Sequence, residues 1–106
     1  MKINEILQLT KGRRLEFKKT LPSRADLAKT VIAFANDAGG DIYIGVQDNP
    51  RLITGLPEDE LVELEEQISN IIFTRCYPTI LPDISFISTE ERHLIKITVH
   101  LVAALN

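Results

Sequence analysis

Positive charges are concentrated in one short stretch of this sequence, residues 11–29. The stretch contains seven Lys or Arg residues and two acidic residues, a local balance of +5, whereas the 106-residue chain has a net charge of −3. Salt screens charges beyond about 8–10 Å, so a local field attracts a polyanion more strongly than the net charge suggests. Ammonium and guanidinium groups bind phosphates. Six of these residues are therefore candidate nucleic-acid contacts: Arg13, Arg14, Lys18, Lys19, Arg24 and Lys29. The alternative is a solvated strand edge and helix face.

A second group of polar residues falls near the predicted ends of strands and helices, where binding sites are often built. Its members are Glu16, Lys18, Asn36, Asp41 and Asp48. Three of them also have a structural explanation, which for Asn36 is a cap or hydrogen bond at the helix end. Glu16 lies between Arg14 and Lys18, so a ladder of surface charges explains it as well as a binding role does. Asp48 fits the first position of a turn.

The first half of the chain predicts a strand, a helix and a second strand. Residues 14–19 alternate, with Leu15 and Phe17 on one face and charged residues on the other. Ser23 then fits a helix N-cap, and apolar residues recur at helical spacing over 24–38. Gly39 and Gly40 end this helix. Apart from Asp41, residues 41–46 are apolar on both faces and predict a central strand, in which Gly45 indicates a close approach by another group.

The second half predicts a hairpin, a helix and two further strands. Residues 48–51 have the composition of a turn, and 52–56 return as a short strand. Pro57 opens a helix that ends near Arg75. Strands follow at 84–88 and 94–101, and a short helix at 4–9 precedes the first strand. The order β-α-β-β-α-β-β predicts the α+β class, as a two-layer sandwich with two main helices on a mixed sheet.

Length and composition favour a single domain spanning residues 1–106 in the cytoplasm. The chain is 44% apolar and 25% charged, as in ordinary globular proteins. The one cysteine, Cys76, cannot form an internal disulfide, which favours a reducing compartment. The longest apolar run is far below the roughly twenty residues that a membrane span requires. We therefore expect no membrane association.

Four of these segments, in this order and spacing, resemble the Schlafen-type AlbA domain. They are Leu15-Glu16-Phe17-Lys18, the helix end Ala33-Phe34-Ala35-Asn36 with Gly39-Gly40, the strand Ile42-Tyr43-Ile44-Gly45-Val46 with Asp48, and Ile53-Thr54-Gly55-Leu56. The resemblance covers residues 5 to about 100. It implies a cytoplasmic nucleic-acid-binding module of bacterial or archaeal transcriptional regulators. The longer parent proteins carry an ATPase-like or winged-helix C-terminal region, so the chain is either an excised domain or a stand-alone copy.

Schlafen members also include metal-dependent RNA nucleases with a trio of acids, and the resemblance places two of them at Glu16 and Asp48. The position of the first acid is Lys11. An ammonium beside a divalent ion weakens its binding, because the ion depends on clustered oxygen ligands. Nuclease activity is therefore the second alternative function, disfavoured by Lys11. Glu16 and Asp48 are the only catalytic candidates, and we assign no metal. The glycines lack a P-loop continuation, so we expect no cofactor.

DNA binding is the leading expectation, with DNA preferred over RNA. No aromatic residues are interleaved with the basic stretch, which favours contact with a duplex backbone over stacking on unpaired bases. The first alternative is a protein-interaction or homodimerisation module. It would use the exposed edge of the last strand and the acidic second helix, with Glu58, Asp59, Glu60, Glu63, Glu65 and Glu66.

Overall fold

A computed structural model of the protein describes residues 2–102. Its main elements are strands β1 (Leu15–Lys18), β2 (Gly40–Ile44), β3 (Val46–Gln47), β4 (Leu52–Ile53), β5 (Asp83–Ser88) and β6 (His93–Val99), with helices α1 (Arg24–Asn36) and α2 (Leu61–Arg75). Two short 3₁₀ segments, Ile3–Gln8 and Glu58–Glu60, precede β1 and α2. The predicted α+β class with a mixed sheet and two main helices is confirmed.

The main sheet has four strands in the order β1-β2-β6-β5. β1 is parallel to β2, whereas β6 is antiparallel to both β2 and β5. The expectation of an exposed edge on the last strand is therefore wrong, because β6 has a partner on each side. The two edges of the sheet are β1 and β5, and β1 carries part of the basic stretch.

Helices α1 and α2 pack on one face of this sheet. Their apolar sides meet Ile42 and Ile44 of β2 and Ile95 and Ile97 of β6. α1 begins as predicted, since the Ser23 Oγ accepts a hydrogen bond of 3.2 Å from the Asp26 amide. It ends at Asn36, two residues before the predicted end, and the chain then turns through Gly39 in the left-handed region.

A second apolar cluster covers the opposite face of the sheet. Phe17, Tyr43 and Leu94 lie there beneath Ile3 and Ile6 of the first 3₁₀ segment. Leu7, the next apolar residue of this segment, is exposed. A 3₁₀ helix repeats every three residues, so Ile3 and Ile6 align and the next residue turns away.

The predicted strand 41–46 is broken at Gly45, whose φ is +105°. β2 therefore ends at Ile44, and β3 pairs with β4 in a separate two-stranded hairpin. A Cβ at Gly45 would lie 2.8 Å from Leu94 Cδ2, so the predicted close approach is confirmed. The remaining boundaries differ by small shifts. The last strand ends at Val99 rather than 101, and Pro57 precedes a 3₁₀ turn rather than opening α2 directly.

Candidate functional site

The structure brings together the three positions that the resemblance assigns to an acidic trio. Lys11 precedes β1, Glu16 lies within β1, and Asp48 lies in the β3–β4 turn. Lys11 Nζ is 2.5 Å from Asp48 Oδ2 and 3.8 Å from Glu16 Oε1. These side chains are between 32% and 44% exposed. The ammonium thus lies between the two carboxylates and neutralises part of their charge.

Arg51 holds the turn that carries Asp48. Its guanidinium carbon lies 4.3 Å from the centre of the Phe17 ring, a cation–π arrangement. The same group donates hydrogen bonds to the carbonyls of Ile6, Leu7 and Leu9, at the end of the first 3₁₀ segment. Sequence reasoning treated Arg51 only as a turn residue. Nothing in the local pattern indicates carbonyl partners more than forty positions away.

These residues do not fit a divalent metal ion. Such a site needs several oxygen ligands, usually including clustered carboxylates. Here the Lys11 ammonium occupies one of the three positions and contacts the Asp48 carboxylate directly. Within residues 2–102, no group of three or more His, Cys, Asp or Glu side chains is arranged to hold an ion.

Asp41 and Asn36, two other polar residues near element ends, have different surroundings. Asp41 Oδ1 accepts a 2.9 Å hydrogen bond from Thr98 Oγ1. Glu16 is in register with Ile42 and therefore faces the same side of the sheet as Ile42 does. Asp41 is the neighbour of Ile42 in β2, so it faces the opposite side. Burial, and secondarily the Asp41 carboxylate, raises the pKa of Tyr43 to about 12. Asn36 is exposed at the end of α1.

The candidate phosphate contacts lie mainly along the edge strand β1. Arg14 precedes the strand, Lys18 ends it, Lys19 follows, and Arg24 begins α1. Arg14, Lys19 and Arg24 are exposed, and Lys18 is half-buried. In the described part of the chain, none of the four has a carboxylate within ion-pair distance. We call these four residues the basic edge.

Backbone hydrogen bonds fix both ends of β1, where Arg14 and Lys18 of the basic edge lie. The Arg14 carbonyl accepts from the Asp41 amide at 3.0 Å, and the Lys18 carbonyl accepts from the Gly45 amide at 2.8 Å. β1 is thereby attached to β2 on one side only. Within residues 2–102 no strand pairs with its other side, so Arg14 and Lys18 lie at a free edge of the sheet.

Two of the predicted phosphate contacts, Arg13 and Lys29, are not part of the basic edge. Arg13 Nε forms a 2.6 Å ion pair with Asp37 Oδ2, so its charge is already compensated. Lys29 is exposed on α1 and lines a shallow groove between the helices, together with Arg75 from the last turn of α2. Sequence reasoning missed Arg75, although a basic residue in the last turn of a helix is a recognisable signal.

Acidic residues at the start of α2 border the basic edge. Glu60 and Glu63 line a groove with Thr20 and Leu21, which directly follow Lys19. Acidic residues predominate from 58 to 66, with six acids and no base. This negative charge would repel a polyanion on this side of β1.

Ser88, His93 and Glu58 form a hydrogen-bonded chain that the sequence did not reveal. His93 Nδ1 is 2.8 Å from Ser88 Oγ, and His93 Nε2 is 3.0 Å from Glu58 Oε2. His93 is the first residue of β6, and both nitrogens of its ring have partners. The adjacent Leu56 and Thr89 amides bond to carbonyls and are not free to stabilise an oxyanion. These three hydrogen-bonded side chains thus link the 3₁₀ turn before α2 to the β5–β6 hairpin.

Two further sequence-based interpretations concern Cys76 and the membrane. Cys76 is buried in the helical core, as expected for a small apolar side chain, and burial raises the pKa of its thiol. None of the helices in residues 2–102 has both the length and the apolar character needed to cross a bilayer.

Comparisons with known proteins agree with the fold. The chain is 33% identical over 66 residues to an uncharacterised ATP-binding protein from Ureaplasma parvum, covering 60% of this chain and 19% of that protein. A crystal structure from Corynebacterium diphtheriae is 21% identical with a TM-score of 0.61, covering 96% of this chain and 22% of the other. This chain thus spans about a fifth of the length of either protein.

A solution structure from Nitrosomonas europaea, the N-terminal domain of a protein described as related to the ATP-dependent DNA helicase RecG, is also similar. It is 21% identical with a TM-score of 0.57, over 93% of this chain and 70% of that domain. The sequence profile described as Schlafen, AlbA_2 matches residues 11–104, nearly the whole chain. The chain therefore belongs to the Schlafen, AlbA_2 family.

Proposed function

We propose that this chain is a nucleic-acid-binding domain that contacts the phosphate backbone through the basic edge. The observation that carries the proposal is the placement of Arg14, Lys18, Lys19 and Arg24 around one edge strand, without carboxylate partners in the described residues. Cations without partners release counterions from a nucleic acid when they bind phosphates, and this supplies affinity that is independent of base sequence.

The same surface favours double-stranded DNA over unpaired RNA. Binding of single strands relies on exposed aromatic rings beside the cations. Phe17, the aromatic residue in β1, is 2% exposed and stacks on Tyr43. Phe73 and Tyr77 are exposed, but they belong to the end of α2 and the segment after it. Backbone contact with a duplex therefore fits the basic edge better than stacking does.

We further propose that the domain works within a longer cytoplasmic protein, in transcriptional regulation. The similar proteins are described as ATP-binding and as related to a DNA helicase, and both descriptions fit a DNA-binding module joined to an ATPase-like region. A winged-helix region is the other C-terminal partner that the family resemblance implies. In either arrangement, DNA binding by this domain would recruit the longer protein to DNA.

A protein-interaction or homodimerisation module is the second candidate. Phe73 and Leu81 are 68% and 80% exposed, and together with Ile80 they line an apolar groove beside the start of β5. Within residues 2–102, β5 is paired on one side only, so this edge, rather than that of the last strand, is available to a partner chain.

Fluorescence anisotropy separates the two candidates. Labelled duplex DNA, duplex RNA and single-stranded DNA of equal length would be titrated with the purified domain at low salt. The proposal predicts binding to the DNA duplex that exceeds binding to the other two. A folded domain that binds none of the three nucleic acids would contradict the proposal and favour the protein-interaction candidate.

A further inference from the structure

We propose that the Lys11 ammonium is the built-in cation of the Glu16–Asp48 pair, in place of the divalent ion that the family resemblance implies. The protein would then not bind such an ion at this position. The inference is independent of nucleic-acid binding by the basic edge.

The geometry carries the proposal. Lys11 Nζ lies 2.5 Å from Asp48 Oδ2 and 3.8 Å from Glu16 Oε1, so it contacts one carboxylate and lies close to the other. It also lies 5.7 Å from the centre of the Phe17 ring, within the range of a cation–π contact. A divalent ion shared by Glu16 and Asp48 would have to displace this ammonium or stand beside it.

Charge explains why the lysine excludes the ion. Three carboxylates would give this cluster a charge of −3, which attracts a divalent cation strongly. With Lys11 the cluster has a net charge of −1, which attracts a divalent cation much less. The ammonium has no open coordination position for a water molecule, so it cannot supply the activated hydroxide of a metal-dependent hydrolase.

The lysine has a structural role at the same time. It joins the segment before β1 to the β3–β4 turn, residues that are 37 positions apart. Replacing it by a carboxylate would introduce repulsion that loosens this junction. An ion that bound the new trio would restore the junction, so protein stability reports on ion binding without any measurement of catalysis.

The test compares wild type, Lys11→Glu and Lys11→Glu/Asp48→Asn in the presence of Mn²⁺. Loss of the free-ion signal in electron paramagnetic resonance measures binding, and thermal unfolding measures its effect on the fold. Lys11→Glu should melt below wild type without the ion and gain about 5 °C or more when Mn²⁺ exceeds its Kd about tenfold. Wild type should show neither ion uptake nor a comparable shift, and the double variant should bind Mn²⁺ more weakly than Lys11→Glu does.

A further variant keeps the test decisive if Lys11→Glu does not fold. Lys11→Ala removes the ammonium without adding a third acid, so it should bind Mn²⁺ more tightly than wild type does. The proposal is overturned if wild type binds Mn²⁺ as tightly as Lys11→Ala or Lys11→Glu. It is also overturned if folded Lys11→Glu binds no more Mn²⁺ than the double variant.

Discussion

Arg13 Nε lies 2.6 Å from Asp37 Oδ2 and thereby joins the segment before β1 to the C-terminal end of α1. Both side chains are solvent-exposed, at 73% and 46%, so the pair contributes little to the free energy of unfolding. Its main effect is electrostatic. Arg13 belongs to the basic stretch of the sequence, but in the folded protein its charge is compensated, unlike that of the four residues in the basic edge.

Replacing Asp37 with Asn should therefore increase affinity for duplex DNA. The freed Arg13 can contact a phosphate, and the expected gain is about two- to fivefold at low salt, given the modest strength of an exposed ion pair. Glu91→Gln is the matched control, since it removes one negative charge at the β5–β6 turn on the opposite edge of the sheet. Anisotropy titrations measure both variants, and equal gains would show that Asp37 acts only through net charge.

Gly45→Ala should destabilise the protein by about 2–4 kcal/mol. The new methyl group would meet Leu94 Cδ2 at 2.8 Å and Leu56 Cγ at 3.2 Å, and the backbone at this position has a φ of +105°. Gly12→Ala is the control, because a Cβ there has no neighbour within 4 Å. Urea unfolding measures both changes. A Gly45→Ala protein as stable as the control would show that the break between β2 and β3 does not require glycine.

The pKa of Tyr43 predicts a loss of stability at alkaline pH. Its folded pKa of about 12 exceeds the ordinary value of 10.0, so its contribution is fully present below pH 10 and is lost as the pH rises through 12. In a Tyr77→Phe background, ultraviolet absorbance follows the ionisation of Tyr43, the one tyrosine that then remains. Ionisation of Tyr43 at its ordinary pKa while the protein is still folded would contradict the burial described above.

Local patterns in the sequence predict much of this fold. The alternation at Leu15 and Phe17, the cap at Ser23 and the glycine turn after α1 each depend on neighbouring residues, so each is visible in the sequence. The strand break at Gly45 was only partly visible, because the tight contact with Leu94 depends on the pairing of distant strands. The interior position of β6 was missed for the same reason.

The candidate site was predictable in its residues but not in its contacts. The resemblance placed Lys11, Glu16 and Asp48 at the positions of the acidic trio of Schlafen nucleases, and the structure brings these three side chains together. The ion pair between Arg13 and Asp37 and the anchoring of Arg51 were not predictable. They join residues far apart in the chain, and the local sequence pattern does not indicate such contacts.

The salt dependence of DNA binding tests the role of the basic edge most directly. Wild-type affinity for an unrelated duplex should fall steeply between about 50 and 200 mM salt, and Lys18→Ala/Lys19→Ala should reduce the log–log slope by about 2. The charge-matched control is Lys2→Ala/Arg92→Ala, which removes two cations beside β5, on the other edge of the sheet, and should leave the slope nearly unchanged. An unchanged slope in Lys18→Ala/Lys19→Ala, or an equal reduction in the control, would contradict binding through the basic edge.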